Sequence, residues 1–140
     1  MKQTLKIGII GAVVCIWAGP RLTAAPPAPA TPQAVNLLGT FVWSNEPIQK
    51  HELRAKLTAT GTNEWQAVWS FNWKQHPVTF TGTVKGELRN GHVTGTGDTT
   101  DGRRQFAFDG TAKDGAIDFV HYETTHGKNR TGNGEMRVLR

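Results

Sequence analysis

Cysteine is almost missing from this sequence. The one cysteine among the 140 residues, Cys15, lies inside an apolar run near the N-terminus. If that run is removed on maturation, the remaining chain has no thiol, which excludes both disulfide bonds and thiolate metal ligands. We therefore predict a mature chain without disulfides.

Long hydrophobic segments are missing as well. The apolar run "IGIIGAVVCIWAG" covers residues 7–19, which is too short for a comfortable transmembrane helix. Lys2 and Lys6 precede it and the small, proline-rich stretch "PRLTAAPPAPATPQ" follows it, which is the pattern of a secretory signal peptide. We expect a secreted or periplasmic protein with no transmembrane segment in the mature chain. An uncleaved anchor is the alternative, and a lipoprotein is disfavoured because valines precede Cys15.

The signal-peptide interpretation sets the domain organisation. Cleavage after Ala30 would leave Thr31 at the new N-terminus. About 105 residues remain beyond the proline-rich stretch, which is enough for one domain with one modest core. We predict a signal peptide over residues 1–30, a linker over 31–36 and a single domain over 37–140.

A strong excess of charge is absent from the predicted mature chain. The formal net charge of +5 includes three basic residues of the signal peptide, and the chain from Thr31 onward has 13 basic and 11 acidic residues. The remaining net charge of about +2 gives no basic footprint of the kind that nucleic-acid-binding proteins carry. We predict no nucleic-acid partner.

Recognisable catalytic motifs are absent too. The glycines lie in strand and hairpin patterns and do not open a helix, which argues against a phosphate-binding loop or a nucleophile elbow. Asp98, Asp109 and Asp118 fall on the outward faces of their predicted strands, so they are a weak signal for paired catalytic acids. We predict a protein that is not an enzyme and has no cofactor.

Strand and turn signals are what this sequence does contain. The dipeptides Asn90-Gly91, Asp101-Gly102 and Asp114-Gly115 favour two-residue hairpin turns, because such turns need positive φ at both positions. The stretches "VTFTGTVKGELR" and "EWQAVWSFNW" alternate between two faces, as strands do.

Eight strands follow from these patterns. The predicted strands cover residues 37–43, 51–60, 64–73, 78–89, 92–100, 103–113, 116–125 and 131–139. Sequentially paired antiparallel strands can close first on last, which removes both exposed edges. We predict an all-β, single-domain, eight-stranded antiparallel meander closed as an up-and-down barrel, with an open β-sandwich as the alternative.

Turn positions also predict which residues face each other. The expected opposing pairs are Trp69 with Gly82, Trp65 with Gly86, Trp69 with Ala55, Trp65 with Ala59, Gly95 with Gly86, Phe106 with Gly97, Phe108 with Gly95 and His121 with Phe108. Large residues opposite glycine or alanine fill a concave interior without overpacking. Trp65 and Trp69 are therefore expected to be core.

The predicted first strand carries a resemblance to a known group of barrels. Its sequence "GTFVWSN" resembles the G-x-W opening of the calycin barrels, lipocalins and avidins, with Phe41 at the tryptophan position. The resemblance implies an up-and-down barrel and a basic residue near the last strand that packs beneath the opening, a part for Arg137 or Arg140. The middle of the chain is similar in style to small uncharacterised secreted bacterial proteins.

One end of the predicted barrel is the better place for a site. Predicted loops 44–50, 74–77, 101–102 and 126–130 meet there and are mostly longer than the turns at the other end. Barrels bind ligands in their mouths. Strand parity directs a polar group and two tryptophans to this mouth, and the candidate ligand-binding residues are Trp43, Trp73, Arg104, His121 and Glu123.

The inward polar group also has structural interpretations. Arg104 and Glu123 can form an ion pair while His121 donates to a backbone carbonyl, because inward polar groups are costly unless paired. A one-residue bulge before His121 would instead reverse its direction. His121, Glu123 and His126 are ligand types that suit zinc or iron, but their spacing matches no metal motif. His51, His76 and His92 are interpreted as loop or solvent-face residues.

Two functions from different classes follow. We expect a non-enzymatic binding protein that takes a small apolar or aromatic ligand, or the end of a glycan, at the mouth. The alternative is a structural or interaction module with a solid interior and an envelope protein as partner. An enzyme using Arg104, His121 and Glu123 comes third.

Overall fold

The computed structural model describes residues 32–139, and these form a closed eight-stranded β-barrel in which every strand pairs with its neighbours in the sequence. The strands are β1 (Ala34–Trp43), β2 (Glu46–Gly61), β3 (Glu64–Trp73), β4 (His76–Lys85), β5 (Gly91–Thr99), β6 (Gln105–Lys113), β7 (Ala116–Glu123) and β8 (Asn129–Val138). The predicted all-β meander and its closure are confirmed, and the open sandwich is excluded. The predicted signal peptide lies outside the described residues.

Closure depends on pairing between the two ends of the domain. β1 runs antiparallel to β8 from Leu37 opposite Val138 to Trp43 opposite Gly132. β1 begins at Ala34, three residues before the predicted strand and within the predicted linker. No helix long and apolar enough to cross a membrane occurs within residues 32–139.

The interior is filled by the inward face of each strand. In β2 the alternate residues from His51 to Leu57 are buried while those between them are exposed, which is the period of a strand with one wet face. The buried apolar core consists of Leu37, Phe41, Leu53, Ala55, Leu57, Ala67, Trp69, Phe80, Val84, Leu88, Val93, Ala112, Ile117, Phe119 and Met136.

Three of the predicted strand registers are confirmed. β2 pairs with β3 so that Ala55 and Ala59 lie opposite Trp69 and Trp65. The predicted pairs between β5 and β6 and between β6 and β7 are also observed: Phe106 with Gly97, Phe108 with Gly95, Phe108 with His121. The Asp114-Gly115 turn has the positive φ at both residues that its sequence predicts.

The register between β3 and β4 differs from the prediction by two residues. Trp69 lies opposite Phe80 and Trp65 opposite Val84, so neither faces a glycine of β4. The reason is a two-residue turn at Lys74 and Gln75, both at positive φ (48° and 67°), where the sequence suggested a four-residue loop. Because the error is even, the inward face is unchanged.

The register between β4 and β5 is also wrong by two residues. Val84 pairs with Gly95, and the ladder stops at Lys85 opposite Thr94. Residues 86–90 form an irregular connection in place of the predicted Asn90-Gly91 turn. Gly86 adopts a φ of 119°, a region that L side chains rarely enter, and this ends the strand.

Large residues nevertheless pack over glycines, although not always the predicted ones. A Cβ built on Gly97 would lie 3.3 Å from Phe80 Cβ and 3.4 Å from Trp69 Cδ1. The Trp69 indole Nε1–H donates to the Thr96 carbonyl at 3.1 Å. Trp69 therefore crosses β4 to reach β5, and it is core as predicted.

Loop lengths separate the two barrel ends less than the sequence suggested. The predicted mouth has two-residue turns at 44–45 and 74–75 and five-residue loops at 100–104 and 124–128. The 44–50 loop was wrong because β2 extends to Glu46. We call this end, which is formed by the connections 44–45, 74–75, 100–104 and 124–128, the mouth.

Arg137 does not play the part that the calycin resemblance implied. Its side chain is exposed on the outside of the barrel, and its backbone lies opposite Leu38 and Ala116. That expectation is wrong for Arg137, and Arg140 lies outside the described residues.

Candidate functional site

A cavity of about 510 Å³ opens at the mouth of the barrel. Four of the five candidate residues line it, namely Trp43, Trp73, Arg104 and Glu123. They come from four different strands or loops, as the parity of the sequence predicted. The other lining residues are Ser44, Asn45, Phe71, Val78, Phe80, Thr99, Phe106, Arg130 and Thr131.

Aromatic rings form the walls of this mouth cavity. Trp43 meets Trp73 edge to face, with ring centroids 5.7 Å apart, and it lies 6.1 Å from Phe106. Phe71, on the same strand as Trp73, stacks on Phe80 at 5.7 Å and an interplanar angle of 6°. Such contacts orient neighbouring rings, so the rings of the lining support one another.

Arg104 and Glu123 form the ion pair that the structural interpretation anticipated. Arg104 Nε donates to Glu123 Oε1 at 3.1 Å and its Nη2 donates to Oε2 at 3.3 Å. The guanidinium also lies 4.9 Å from the centroid of the Phe106 ring. The pair is half exposed, so water and salt screen it, and it shapes the rim more than it stabilises the fold.

His121 is buried below the mouth cavity and does not line it. Its Nε2 donates to the Val42 carbonyl at 3.1 Å, and its Nδ1 lies 2.8 Å from Thr131 Oγ1. Burial is the main cause that lowers the pKa of His121 below its ordinary value of 6.5, with Arg130 adding to the effect and the Val42 carbonyl opposing it. The ring is therefore neutral at pH 7, with its proton on Nε2. The single proton of the Thr131 hydroxyl is within reach of both His121 Nδ1 and the His121 carbonyl, at 2.8 and 3.2 Å.

The residues around His121 enclose a second, smaller space. This inner cavity of about 90 Å³ is lined by His121, Trp69, Phe119 and Met136, among others. Trp43, Phe71, Phe80 and Phe106 line both cavities. A layer of aromatic side chains is thus shared by the mouth cavity and the inner cavity.

His51 is a buried residue beside Trp73 whose inward direction the sequence interpretation missed. It was expected in a loop or on the solvent face, but only 8% of it is exposed. Its ring lies between Phe41 and Trp73, at centroid distances of 5.2 and 5.3 Å. The signal was present, because His51 is the first residue of the predicted strand 51–60 and is in phase with the buried Leu53.

Buried polar atoms near the mouth lack hydrogen-bond partners. Trp43 Nε1 and His51 Nε2 are both inaccessible to solvent and unpaired among residues 32–139, and Trp65 Nε1 is in the same state at the other end. Buried polar groups in folded proteins are normally paired. Trp43 and His51 both contact Trp73, so two unpaired buried atoms lie around this tryptophan.

A β-bulge in β8 borders the cavity. His121 lies opposite Gly132 and Tyr122 opposite Arg130, so Thr131 is an extra residue in β8. Bulges often redirect side chains beside functional sites. The predicted direction of His121 is unaffected, because the extra residue lies in the partner strand, while Thr131 and Arg130 both reach the mouth cavity.

The histidines do not assemble a metal centre in the part of the chain that the structure describes. No three His, Asp or Glu side chains of that part are close enough to hold a metal ion. His126 is exposed in the 124–128 loop, and both nitrogens of His121 are engaged.

Comparison with known proteins assigns no family to this chain. No family model, no curated protein and no solved structure matches it. The geometry of the mouth is therefore the basis for a functional conclusion.

Proposed function

We propose that this protein is a non-enzymatic binding protein that takes a small apolar or aromatic molecule, or the end of a glycan, at the mouth of its barrel. The observation that carries the proposal is the cavity of about 510 Å³ with Trp43, Trp73, Phe71, Phe80 and Phe106 as its walls. Its volume falls within the range of about 300–1,000 Å³ that is typical of ligand pockets.

The chemistry of the lining supports a binding role. Ligand sites combine apolar walls with a few polar groups that orient the ligand. Here the rim provides the paired Arg104 and Glu123, and the hydroxyls of Ser44 and Thr131 line the same cavity. An interaction module with a solid interior would have no use for this space, so the cavity favours binding over that alternative.

The environment of the candidate catalytic residues favours binding over catalysis. A general base needs a free lone pair within reach of the substrate. His121 lies beneath the aromatic layer, and its two nitrogens are engaged with Val42 and Thr131. Glu123 is held by Arg104.

The proposal extends to the kind of protein and its location. The closed eight-stranded meander and the buried Phe41 in β1 support kinship with calycin-type barrels. The "IGIIGAVVCIWAG" pattern supports export to the periplasm or beyond.

Two uncharged probes test the binding function. N-phenyl-1-naphthylamine fluoresces when it enters an apolar site, and N,N′-diacetylchitobiose is a small glycan end that native mass spectrometry can detect. We expect one of the two to bind with a dissociation constant in the micromolar range, roughly −8 kcal/mol. We expect Trp73→Ala to weaken that binding about tenfold or more, because it removes one aromatic wall.

Trp65→Ala is the matched control. Trp65 is on the same strand and is also half-buried, but it lies toward the opposite end of the barrel. Its loss should leave the dissociation constant within about twofold, since aromatic anchors act where they touch the ligand. Absence of binding by both probes, or equal effects of the two substitutions, would overturn the proposal.

A further inference from the structure

The distribution of charge along the barrel is uneven. Residues 44–50, 74–75, 100–104 and 123–130, which form the mouth end, contain six basic residues and three acidic residues. The basic ones are Lys50, Lys74, Arg103, Arg104, Lys128 and Arg130, and the acidic ones are Glu46, Asp101 and Glu123. At the other end, residues 61–64, 85–91 and 113–116 carry three of each sign.

Two of the three acidic residues at the mouth form ion pairs. Glu123 pairs with Arg104 at 3.1 Å and Asp101 lies 3.5 Å from Arg103 Nε. Glu46 is half-buried opposite Trp43 and is not among the residues that line the cavity. The mouth therefore keeps a positive field that its own acids do not cancel.

Arg130 is the basic residue whose charge acts directly on the cavity. It lines the mouth cavity, and it has no acidic partner within salt-bridge distance among residues 32–139. Thr131, its neighbour in β8, lines the same cavity and lies 2.8 Å from His121 Nδ1. A guanidinium is suited to bidentate binding of a carboxylate.

Neutral hydrogen-bonding groups surround Arg130. Ser44, Asn45 and Thr131 line the same cavity, and the Ser44 N–H donates to the Thr131 carbonyl at 2.8 Å, which holds the β1–β2 turn against β8. Across from this polar side stand Trp73, Phe71 and Val78. The cavity thus has one apolar wall and one polar, positively charged wall.

We infer that the ligand of this cavity is an anion, namely a planar apolar molecule with a carboxylate group. The apolar body packs between the tryptophan and phenylalanine rings, and the carboxylate accepts hydrogen bonds from Arg130 and its neutral neighbours. Arg104, already paired with Glu123, sets the rim and does not compete for the carboxylate. This inference rests on the proposed binding function and adds the sign of the ligand's charge and the residue that recognises it.

A matched pair of probes isolates the charge. 2-Naphthoate and 2-naphthamide have the same ring system and nearly the same size, and they differ in carrying a carboxylate or a neutral amide. By isothermal titration calorimetry on the purified protein, we expect 2-naphthoate to bind about tenfold more tightly, equivalent to about 1.4 kcal/mol. Raising the salt concentration from about 0.05 M to about 0.5 M should reduce this advantage, because exposed charges are screened.

Two arginine variants assign the effect to one residue. Arg130→Gln should remove the preference for 2-naphthoate and leave 2-naphthamide binding within about twofold. Arg103→Gln makes the same charge change in an exposed side chain at the same end that does not line the cavity, so it should preserve most of the preference.

The outcomes separate the two proposals. If 2-naphthamide binds as tightly as 2-naphthoate, or if Arg130→Gln keeps the preference, the anionic ligand is wrong while the binding function stands. If the preference falls equally in both variants, a diffuse field and not Arg130 is responsible, and the assignment to Arg130 is wrong. If neither probe binds and the uncharged probes also fail, both proposals are wrong.

Discussion

His121 illustrates how one residue is fixed by both its strand and its neighbours. It continues the inward phase of Ile117 and Phe119 in β7, so the sequence predicted its direction. Its partners could not be predicted from the sequence, because Val42 belongs to β1, which comes near β7 only after closure, and Thr131 is the extra residue of a bulge in β8. Gly132 leaves room for the His121 ring, since a Cβ at this position would collide with the Val42 carbonyl and with the ring.

The lowered pKa of His121 predicts a dependence of stability on pH. Because its folded-state pKa is below the ordinary value of 6.5, the unfolded chain takes up this proton first as the pH falls. The contribution of the neutral His121 ring to stability is complete above pH 6.5. It is lost as the pH falls from 6.5 toward the folded-state pKa. We expect the free energy of unfolding, measured by urea denaturation, to decrease between pH 7 and pH 5.

His121→Gln tests this assignment. Glutamine can donate to the Val42 carbonyl and does not titrate, so the variant should be less stable at pH 7 by about 1–3 kcal/mol but less dependent on pH. His76→Gln, at an exposed strand start, should leave the wild-type dependence in place. If the free energy of unfolding of His121→Gln depends on pH as strongly as that of the wild type, another group causes the loss of stability at low pH.

At the scale of strands, the sequence predicted faces better than registers. The alternation in "EWQAVWSFNW" identified β3 with the bounds that the structure has, and the inward phase was correct. Registers were correct at the two Asp-Gly turns and at the 61–63 loop. They were wrong at Lys74-Gln75, which carries no turn signal, and at Asn90-Gly91, where the expected two-residue turn does not form. Lys74 and Gln75 have no preference for positive φ, and only the pairing of the whole strands holds them there.

The Lys74-Gln75 turn should therefore be a site of local strain. Left-handed backbone costs a residue with a Cβ roughly 1 kcal/mol or more, and Asn-Gly is the dipeptide that such turns favour. We expect Lys74→Asn combined with Gln75→Gly to raise the free energy of unfolding by about 1 kcal/mol, measured by urea denaturation. The gain is limited because glycine also increases the entropy of the unfolded chain.

The double alanine variant of the same turn is the control. It removes the Lys74 side chain, which lies 5.7 Å from the Trp73 ring, but keeps both Cβ atoms and hence the strain. It should be no more stable than the wild type. Equal stability of the two double variants would mean that the turn is not strained.

At the scale of the whole molecule, the sequence predicted the barrel because eight alternating strands have only a few ways to hide their edges. It predicted where four of the five candidate residues meet, because parity and chain direction suffice for that. It missed the inward direction of His51 and the position of Arg130 at the cavity. His51 begins the predicted strand 51–60 but was interpreted as a loop or solvent-face residue. Arg130 lies in the predicted 126–130 loop, and it reaches the cavity beside a bulge in β8 that no local sequence pattern predicts.

Closure should make the seam between the first and last strands a point of global weakness. Gly39 in β1 lies so close to β8 that a Cβ would collide with the Glu135 carbonyl and the Met136 backbone. Since neither of these is the flexible end of a side chain, the strands must move apart to admit it. We expect Gly39→Ala to lower the free energy of unfolding by about 2 kcal/mol, within the usual range for overpacking.

The effect should reach both ends of the chain, because β1 and β8 share this seam. Amide hydrogen exchange should accelerate in β1 and β8 together, while β4 keeps more of its protection. Gly61→Ala is the matched control, since its Cβ would meet only the Glu64 side chain, at an ordinary distance of 3.5 Å. Faster exchange confined to β1 would mean that β8 does not depend on the seam, and pairing across the closure would then contribute little to the stability of the barrel.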